Sequence, residues 1–341
     1  MNILRWDTYP GVAASTPARD WLELQAHLRL APKTLDAYGR SLDDYLAFCT
    51  RASLDPAGAT RADVATYVHD LATRPPSRAA RKHAHTAPGL SDATIQLRLT
   101  TVRLYYDYLT ALGTRADNPV GRGRYTPGNA FAAGRGLVRR RPRLPWVPND
   151  DQWRAILAAV RAESLRNRLM LLLAYDGALR RGELLSLQIA DIDPPYRLIS
   201  VRAEHAKNGA GRVVTYSELT SVALAAYLRH RRRLGASAGP LFLSESRRNT
   251  GQPLSPDMWS KVVEALAARA GVPDFTTHTP RHLRLTHMAR AGLDLHEIAT
   301  YAGHRNPQTT LLYIHLSGHD LADKLRRSMG GLDRLLAEAL P

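Results

Sequence analysis

The feature that most restricts this chain lies near its middle. Residues 121–148 carry Arg122, Arg124, Arg135, Arg139, Arg140, Arg141 and Arg143, several glycines and prolines, and no acid. No helical or strand period runs through this stretch, so it interrupts any continuous core. It divides the 341 residues into two parts, each of a length that suits a domain. Seven cations without a carboxylate repel one another unless anions neutralise them. A solvated tether would have to tolerate that repulsion. A basic strap laid along a phosphate backbone would use it, and this second reading is favoured.

The charge extends beyond the strap. Lys and Arg number 47 against 31 Asp and Glu, a formal net charge of +16. Such a field draws polyanions. Nucleic acid is favoured over an anionic membrane, because no basic amphipathic helix with bulky apolar anchors stands out. The longest uncharged apolar run, Leu169 to Tyr175, is far below the ~18 residues of a membrane span. The N-terminus lacks a basic start followed by an apolar stretch, which reads as no signal peptide. Cys49 is the only cysteine, which excludes internal disulfides and cysteine metal clusters and fits a reducing cytoplasm.

Residues 1–15 read as a tail, and 16–120 as a small helical domain. Apolar residues recur at helical spacing through Trp21, Leu24, Leu28 and Leu30. They do so again from Leu42 through Tyr45, Leu46 and Cys49 behind the cap candidate Thr34, at Val64, Tyr67, Val68 and Leu71, and from Ile95 to Leu109 behind Ser91. Arg74 to Gly89 is basic and broken by proline and glycine, a loop. A second domain spans 149–316. It opens on a helix capped by Asp150/Asp151, followed by an apolar helix at 165–176. Residues 197–202 and 212–216 read as a β-hairpin around the turn-rich segment 204–211. Helices resume at 218–234, 255–270, 280–291 and 294–302. The fold class is mainly α with a small β-hairpin or sheet in the second domain. Residues 317–341 form a leucine-bearing tail.

Four clusters in the second domain could carry chemistry: Gly177 to Leu187 with Arg180, Arg181 and Glu183; Lys207 at the hairpin tip; His278 to His287; and Gly303 to His315. Two guanidiniums can fork onto the non-bridging oxygens of a phosphodiester, a tyrosine hydroxyl can attack it, and His or Lys can move protons. Each residue also has a plain structural reading. Arg180 could anchor a helix end by pairing with Glu183, Tyr313 could be a core tyrosine, and Lys207 a solvated tip. His278, His282 and His287 fall at i, i+4 and i+9, but i+9 is half a turn off that face and carboxylate or cysteine co-ligands are missing, so zinc is disfavoured. His315 and His319 read as surface histidines.

The order of these groups resembles the tyrosine recombinase (phage integrase) family. The resemblance rests on Ala178-Leu-Arg180-x-x-Glu183-Leu-x-x-Leu187, on Lys207 in a hairpin, on His278-x-x-Arg281-His282, and on Gly303-His304 with Thr309-Thr310 before Tyr313. The N-terminal part, with Thr34-x-x-x-Tyr38 and Leu90-Ser-x-x-Thr94-Ile ahead of Asn118-Pro119, is similar to that family's core-binding domain. Ala178 stands where glycine is usual, Arg181 adds a second guanidinium, and Tyr301-Ala302 replaces the usual Leu-Leu.

The resemblance implies a two-domain DNA clamp. Arg180 and Arg281 would hold the scissile phosphate, and Tyr313 would be the nucleophile. Lys207 would protonate the leaving 5′-oxygen, His278 would act as acid/base near the nucleophile, His304 would donate to the phosphate, and Glu183 would support Arg180. It further implies a 3′-phosphotyrosyl link, no cofactor or metal, and a homotetramer on two DNA sites exchanging strands through a Holliday junction. The setting would be the cytoplasm, at the nucleoid. The tail could dock on a neighbouring protomer or pack on its own domain. A type IB topoisomerase-like relaxing activity and a non-catalytic DNA-binding protein are the alternatives.

Overall fold

In the computed structural model the chain is described at residues 4–75, 89–121, 136–138, 144–204, 209–234 and 238–316. It forms two compact units, Met1–Pro142 and Arg143–Pro341.

The first unit is helical: α1 (Pro10–Ala14), α2 (Thr16–His27), α3 (Pro32–Arg51), α4 (Arg61–Thr73) and α5 (Asp92–Ala111). The stripe anticipated on α3 is buried at Leu42, Tyr45, Leu46 and Cys49, and α5 buries Ile95, Leu99, Val102, Tyr105, Tyr106 and Leu109 against it. Local chemistry sets the helix starts. The Thr60 and Asp63 side chains each accept from the other's backbone amide ahead of α4, and the Ser91 hydroxyl accepts from Thr94 N. Residues 4–15 are not a loose tail. Asp43 Oδ1 accepts from the amides of Gly11 (2.7 Å) and Val12 (3.3 Å), and Tyr9 and Val12 are buried in this core. Gly39 makes room for them, since a Cβ there would lie 2.8 Å from the Tyr9 ring.

The basic stretch is also partly built into the unit. Val138 is buried, and its carbonyl accepts from Gln96 Nε2 at 2.8 Å. Arg122, Arg124, Arg135, Arg139, Arg140, Arg141 and Arg143 lie outside the described residues.

The second unit runs α6 (Asp150–Val160), α7 (Leu165–Asp176), α8 (Arg181–Ser186), β1 (Ile192–Asp193), β2 (Leu198–Val201), β3 (Arg212–Thr215), α9 (Glu218–Arg233), α10 (Pro256–Arg269), α11 (Thr279–Arg290), α12 (Leu295–Ala302) and α13 (Gln308–Leu316). The hairpin expected from sequence is β2–β3, with Ile199 opposite Val214 and Val201 opposite Arg212; β1 adds a short third strand on the β2 edge. α7 packs against both α9 and α11, which is why it is buried around most of its circumference, Arg166, Asn167 and Asp176 included. The main core gathers Leu169, Leu173, Ile199, Val214, Trp259 and Phe275, and a smaller cluster joins Ala178, Leu285, Ile298, Ala302 and Tyr313. Among the described residues no helix is long and apolar enough to cross a membrane. The segment 317–341 and Lys207 lie outside the described residues.

Candidate active site

The turn that carries Arg180 is locked from three sides. The Asp176 carboxylate, at the end of α7, accepts from the Ser217 amide (2.8 Å), the Ser217 hydroxyl (2.7 Å) and the Thr220 hydroxyl (2.6 Å), tying α7 to the start of α9. The Tyr301 hydroxyl lies between the carbonyls of Asp176 (2.7 Å) and Thr215 (3.0 Å), which brings α12 onto the same turn. Ala178 then adopts φ +46°, a left-handed conformation normally left to glycine. That turn directs the Ala178 carbonyl at Arg281, whose Nη1 donates to it at 2.6 Å.

Glu183 organises the arginines. It is 1% exposed and accepts from both ends of the Arg212 fork, Nη1 at 3.0 Å and Nη2 at 2.8 Å, and from Arg180 Nη1 at 2.7 Å. Burial alone would push its carboxyl up, but the hydrogen bonds and charge of Arg212, with those of Arg180, hold it at about 2. Arg180 is further fixed by Nη2 donating to the Gly303 carbonyl at 3.1 Å. Gly303 ends α12 with φ +63°, and a Cβ there would sit 3.2 Å from Arg212 Cδ, so only glycine suits both the turn and the close approach. The neighbouring Arg181 turns away, its Nη1 donating to the Ser260 hydroxyl at 2.9 Å. The arrangement therefore places Arg180, not Arg181, on the Glu183 and Gly303 side.

Arg281 is the unusual member. It is 4% exposed, and its Nη2 donates to the Ala302 carbonyl at 2.7 Å and meets His304 Nε2 at 2.9 Å. Among the described residues no carboxylate lies within ion-pair distance of it. Burial and the nearby Arg180 push its pKa down, the mark of a cation held without a counter-charge. His304 is pushed down to about 4 by burial and by Arg281, Arg180 and Arg212, so it is neutral. A guanidinium can only donate, so His304 Nε2 accepts from Arg281, and its Nδ1 carries the hydrogen toward Thr310 Oγ1 at 2.9 Å.

Tyr313 stacks nearly parallel to His304, with centroids 6.1 Å apart at 11°, and its ring centroid is 5.8 Å from that of His282. Its hydroxyl is 2.8 Å from His282 Nδ1. Burial raises its pKa, while Arg281 and Arg180 pull the other way. His278 is exposed at the N-cap of α11, its ring 6.4 Å from that of His282. His287 Nδ1 instead meets the Tyr175 hydroxyl at 2.7 Å. The histidines at i+4 and i+9 are thus committed to different tyrosines, and among the described residues no group of three His, Cys, Asp or Glu could hold a metal ion.

Arg180, Glu183, Arg281, His304 and Tyr313 come together as the spacing implied. Arg212 and His282 join them, although sequence reading gave neither a role here. For Arg212 a signal existed: strand alternation puts it on the same inward face as Val214, and a charge on an apolar face needs a partner.

A nucleophilic hydroxyl beside clustered guanidiniums is the equipment for attack on a phosphodiester. Residues 148–319 match the phage integrase family, and residues 20–113 match the phage integrase N-terminal SAM-like domain. The chain belongs to this family of tyrosine recombinases, enzymes that cleave and rejoin DNA strands. Tyrosine recombinase XerD of Caulobacter vibrioides is 32% identical over 314 residues, covering 89% of this chain and 92% of that protein. Two solved structures share the fold. XerH site-specific recombinase bound to palindromic difH substrate is 18% identical with a TM-score of 0.64, covering 86% of this chain and 79% of that one. The Tn1549 transposon integrase with circular intermediate DNA is 17% identical with a TM-score of 0.62, covering 86% and 94%. Family membership favours recombination over both the topoisomerase-like and the non-catalytic reading.

Proposed function

We propose that the chain is a site-specific recombinase in which Tyr313 attacks a scissile phosphate held by Arg180 and Arg281, displaces the 5′-oxygen and leaves a 3′-phosphotyrosyl link. What supports this most is a single chain of contacts. The ring of Tyr313 stacks with that of His304, whose Nε2 meets Arg281, and Arg281 and Arg180 donate to the carbonyls of the adjacent residues Ala302 and Gly303. Glu183 holds Arg180 and Arg212 rather than touching DNA. Lys207 protonates the leaving oxygen, and a histidine of the His278-x-x-Arg281-His282 segment does the acid/base work near the nucleophile. His304 becomes a donor when phosphate draws Arg281 away from Nε2 and the imidazole hydrogen moves to that nitrogen, the Thr310 hydroxyl then donating to Nδ1. The link conserves the energy of the phosphodiester bond, so neither nucleotide hydrolysis nor a metal is required.

The remaining elements follow the same reading. The strap arginines Arg122, Arg124, Arg135, Arg139, Arg140, Arg141 and Arg143 run along phosphates. Four protomers act on two DNA sites through a Holliday junction, and residues 317–341 link neighbours. The enzyme works at the nucleoid in the cytoplasm. The deciding experiment incubates the full chain with a randomised library of nicked duplexes and isolates covalent protein–DNA adducts. The adduct should map to the peptide bearing Tyr313 and should vanish in Tyr313→Phe while DNA binding persists. An adduct retained by the Phe variant overturns the assignment.

A further inference from the structure

The imidazole against the nucleophile is not the one that the family resemblance singles out. His278 sits exposed at the N-cap of α11, whereas His282, one turn further along, places Nδ1 2.8 Å from the Tyr313 hydroxyl oxygen. We propose that His282 is the general base of strand cleavage and the acid of rejoining, moving the proton of the Tyr313 hydroxyl. The proposal rests on Tyr313 being the nucleophile.

Three observations point this way. First, the contact is to the reacting atom itself, at hydrogen-bond distance before any substrate moves in, which is what a proton carrier requires. Second, the ring is held in place. α11 starts at Thr279 with Pro280 at its second position, and the Thr276 amide donates to Thr279 Oγ1 at 2.8 Å, fixing the first turn on which both Arg281 and His282 ride. Third, the imidazole is in its unprotonated form. Burial, with His278 and Arg281, pushes it down to about 4, so Nδ1 has a lone pair to offer the hydroxyl. The charged and titratable groups bearing on it are His278 and Arg281 from its own helix, His304 from the turn after α12, and Tyr313 from α13. A phosphate on the arginines offsets their charge. The negative charge that grows on phosphorus favours an imidazolium still more, so the base strengthens as the reaction proceeds.

The step balances. The Tyr313 oxygen forms a bond to phosphorus, the bond from phosphorus to the 5′-oxygen breaks, and the hydroxyl proton passes to His282 Nδ1. The 5′-oxygen takes its proton from a separate acid on the leaving-group side, the role proposed above for Lys207. In rejoining, the 5′-hydroxyl attacks and His282 returns its proton to the tyrosine oxygen.

The test uses nicked duplexes re-synthesised from the sequences that the wild-type chain captures covalently. Each is made with an ordinary 5′-oxygen and with a bridging 5′-sulfur at the scissile position. A thiolate leaves without protonation, so a leaving-group acid becomes dispensable while a nucleophile's base does not. His282→Ala and His282→Asn should lower the single-turnover rate of adduct formation on the order of 10²-fold or more on both duplexes, with DNA binding unchanged. Because a variant at this buried position could misfold, the wild-type chain supplies a second measurement. Its rate on the sulfur duplex should fall as pH drops and His282 becomes protonated. Wild-type rates in His282→Ala, a defect that disappears on the sulfur duplex, or a flat wild-type pH profile would each overturn the proposal. Tyr313→Phe on the same duplexes separates the two ideas. An adduct there sinks the nucleophile assignment, whereas no adduct there beside full-rate adduct in His282→Ala sinks only the base.

Discussion

The two units balance the charge of their ion-pair networks in opposite ways. In the helical unit, Asp44 is met by the Tyr67 hydroxyl at 2.8 Å, by Arg74 Nη1 at 2.6 Å and by Arg98, and Arg74 also pairs with Asp70. Every member of that network finds its counter-charge inside the fold. In the catalytic unit, Arg180 and Arg212 share the one carboxylate of Glu183, and among the described residues Arg281 bonds two carbonyls and an imidazole and no carboxylate. The first arrangement is finished without a partner, as suits a scaffold. The second leaves positive charge that an oxyanion from outside must balance, as suits a binding site for phosphate.

Substitutions that hold charge constant sharpen this contrast most. Arg281→Lys and Arg180→Lys keep the cation but lose the planar fork, and each should slow adduct formation by ~10²–10³-fold. Single-turnover cleavage measures it. If Arg181→Lys were the slow variant and Arg180→Lys normal, the open charge would belong to another arginine and the comparison would collapse.

Acid probes the closed half of the catalytic network. The Glu183 carboxyl is at about 2 in the fold against an ordinary 4.5, so as pH falls the unfolded chain takes up the proton first. Its contribution is complete above about pH 4.5 and lost toward pH 2, on the order of 3 kcal/mol. Urea unfolding of wild type and Glu183→Gln should show a stability gap that is widest near neutral pH and narrows in acid; a gap independent of pH would contradict it.

The smallest effect belongs to the scaffold. Asp44→Asn should lower stability by about 1–3 kcal/mol, read in urea, because Arg74 and Arg98 lose a shared counter-charge. At saturating DNA its rate of adduct formation should match wild type. A slowed chemical step would show that the two networks are not independent.

How far the sequence reached follows the same division. Arg180, Arg281, His304 and Tyr313 were legible because their order and spacing are tied to helices whose starts and stops are written locally, in Asp294 and Gly303 around α12 for example. The helices of the first unit were legible through their apolar stripes. What was missed depends on approaches over long separations. His282 meets Tyr313 across 31 positions, and Arg212 meets Glu183 across 29. Residues 1–15 read as a tail because their period is short, yet Asp43 Oδ1 accepts from Gly11 and Val12 and ties that stretch to the core. Lys207 and the strap arginines rest on sequence alone.

The enclosure of Tyr313 bears on how faithfully a broken strand is resealed. The residue is 3% exposed, with the imidazoles of His282 and His304 both close to its ring. On the proposed assignment, a phosphotyrosyl ester on that oxygen would form in a slot from which bulk water is largely excluded. Hydrolysis would strand the DNA as a permanent break, whereas a 5′-hydroxyl delivered by a paired strand arrives already aligned. The enclosure thus favours the slow, tethered nucleophile over the abundant small one, and lets the covalent state wait for its proper partner.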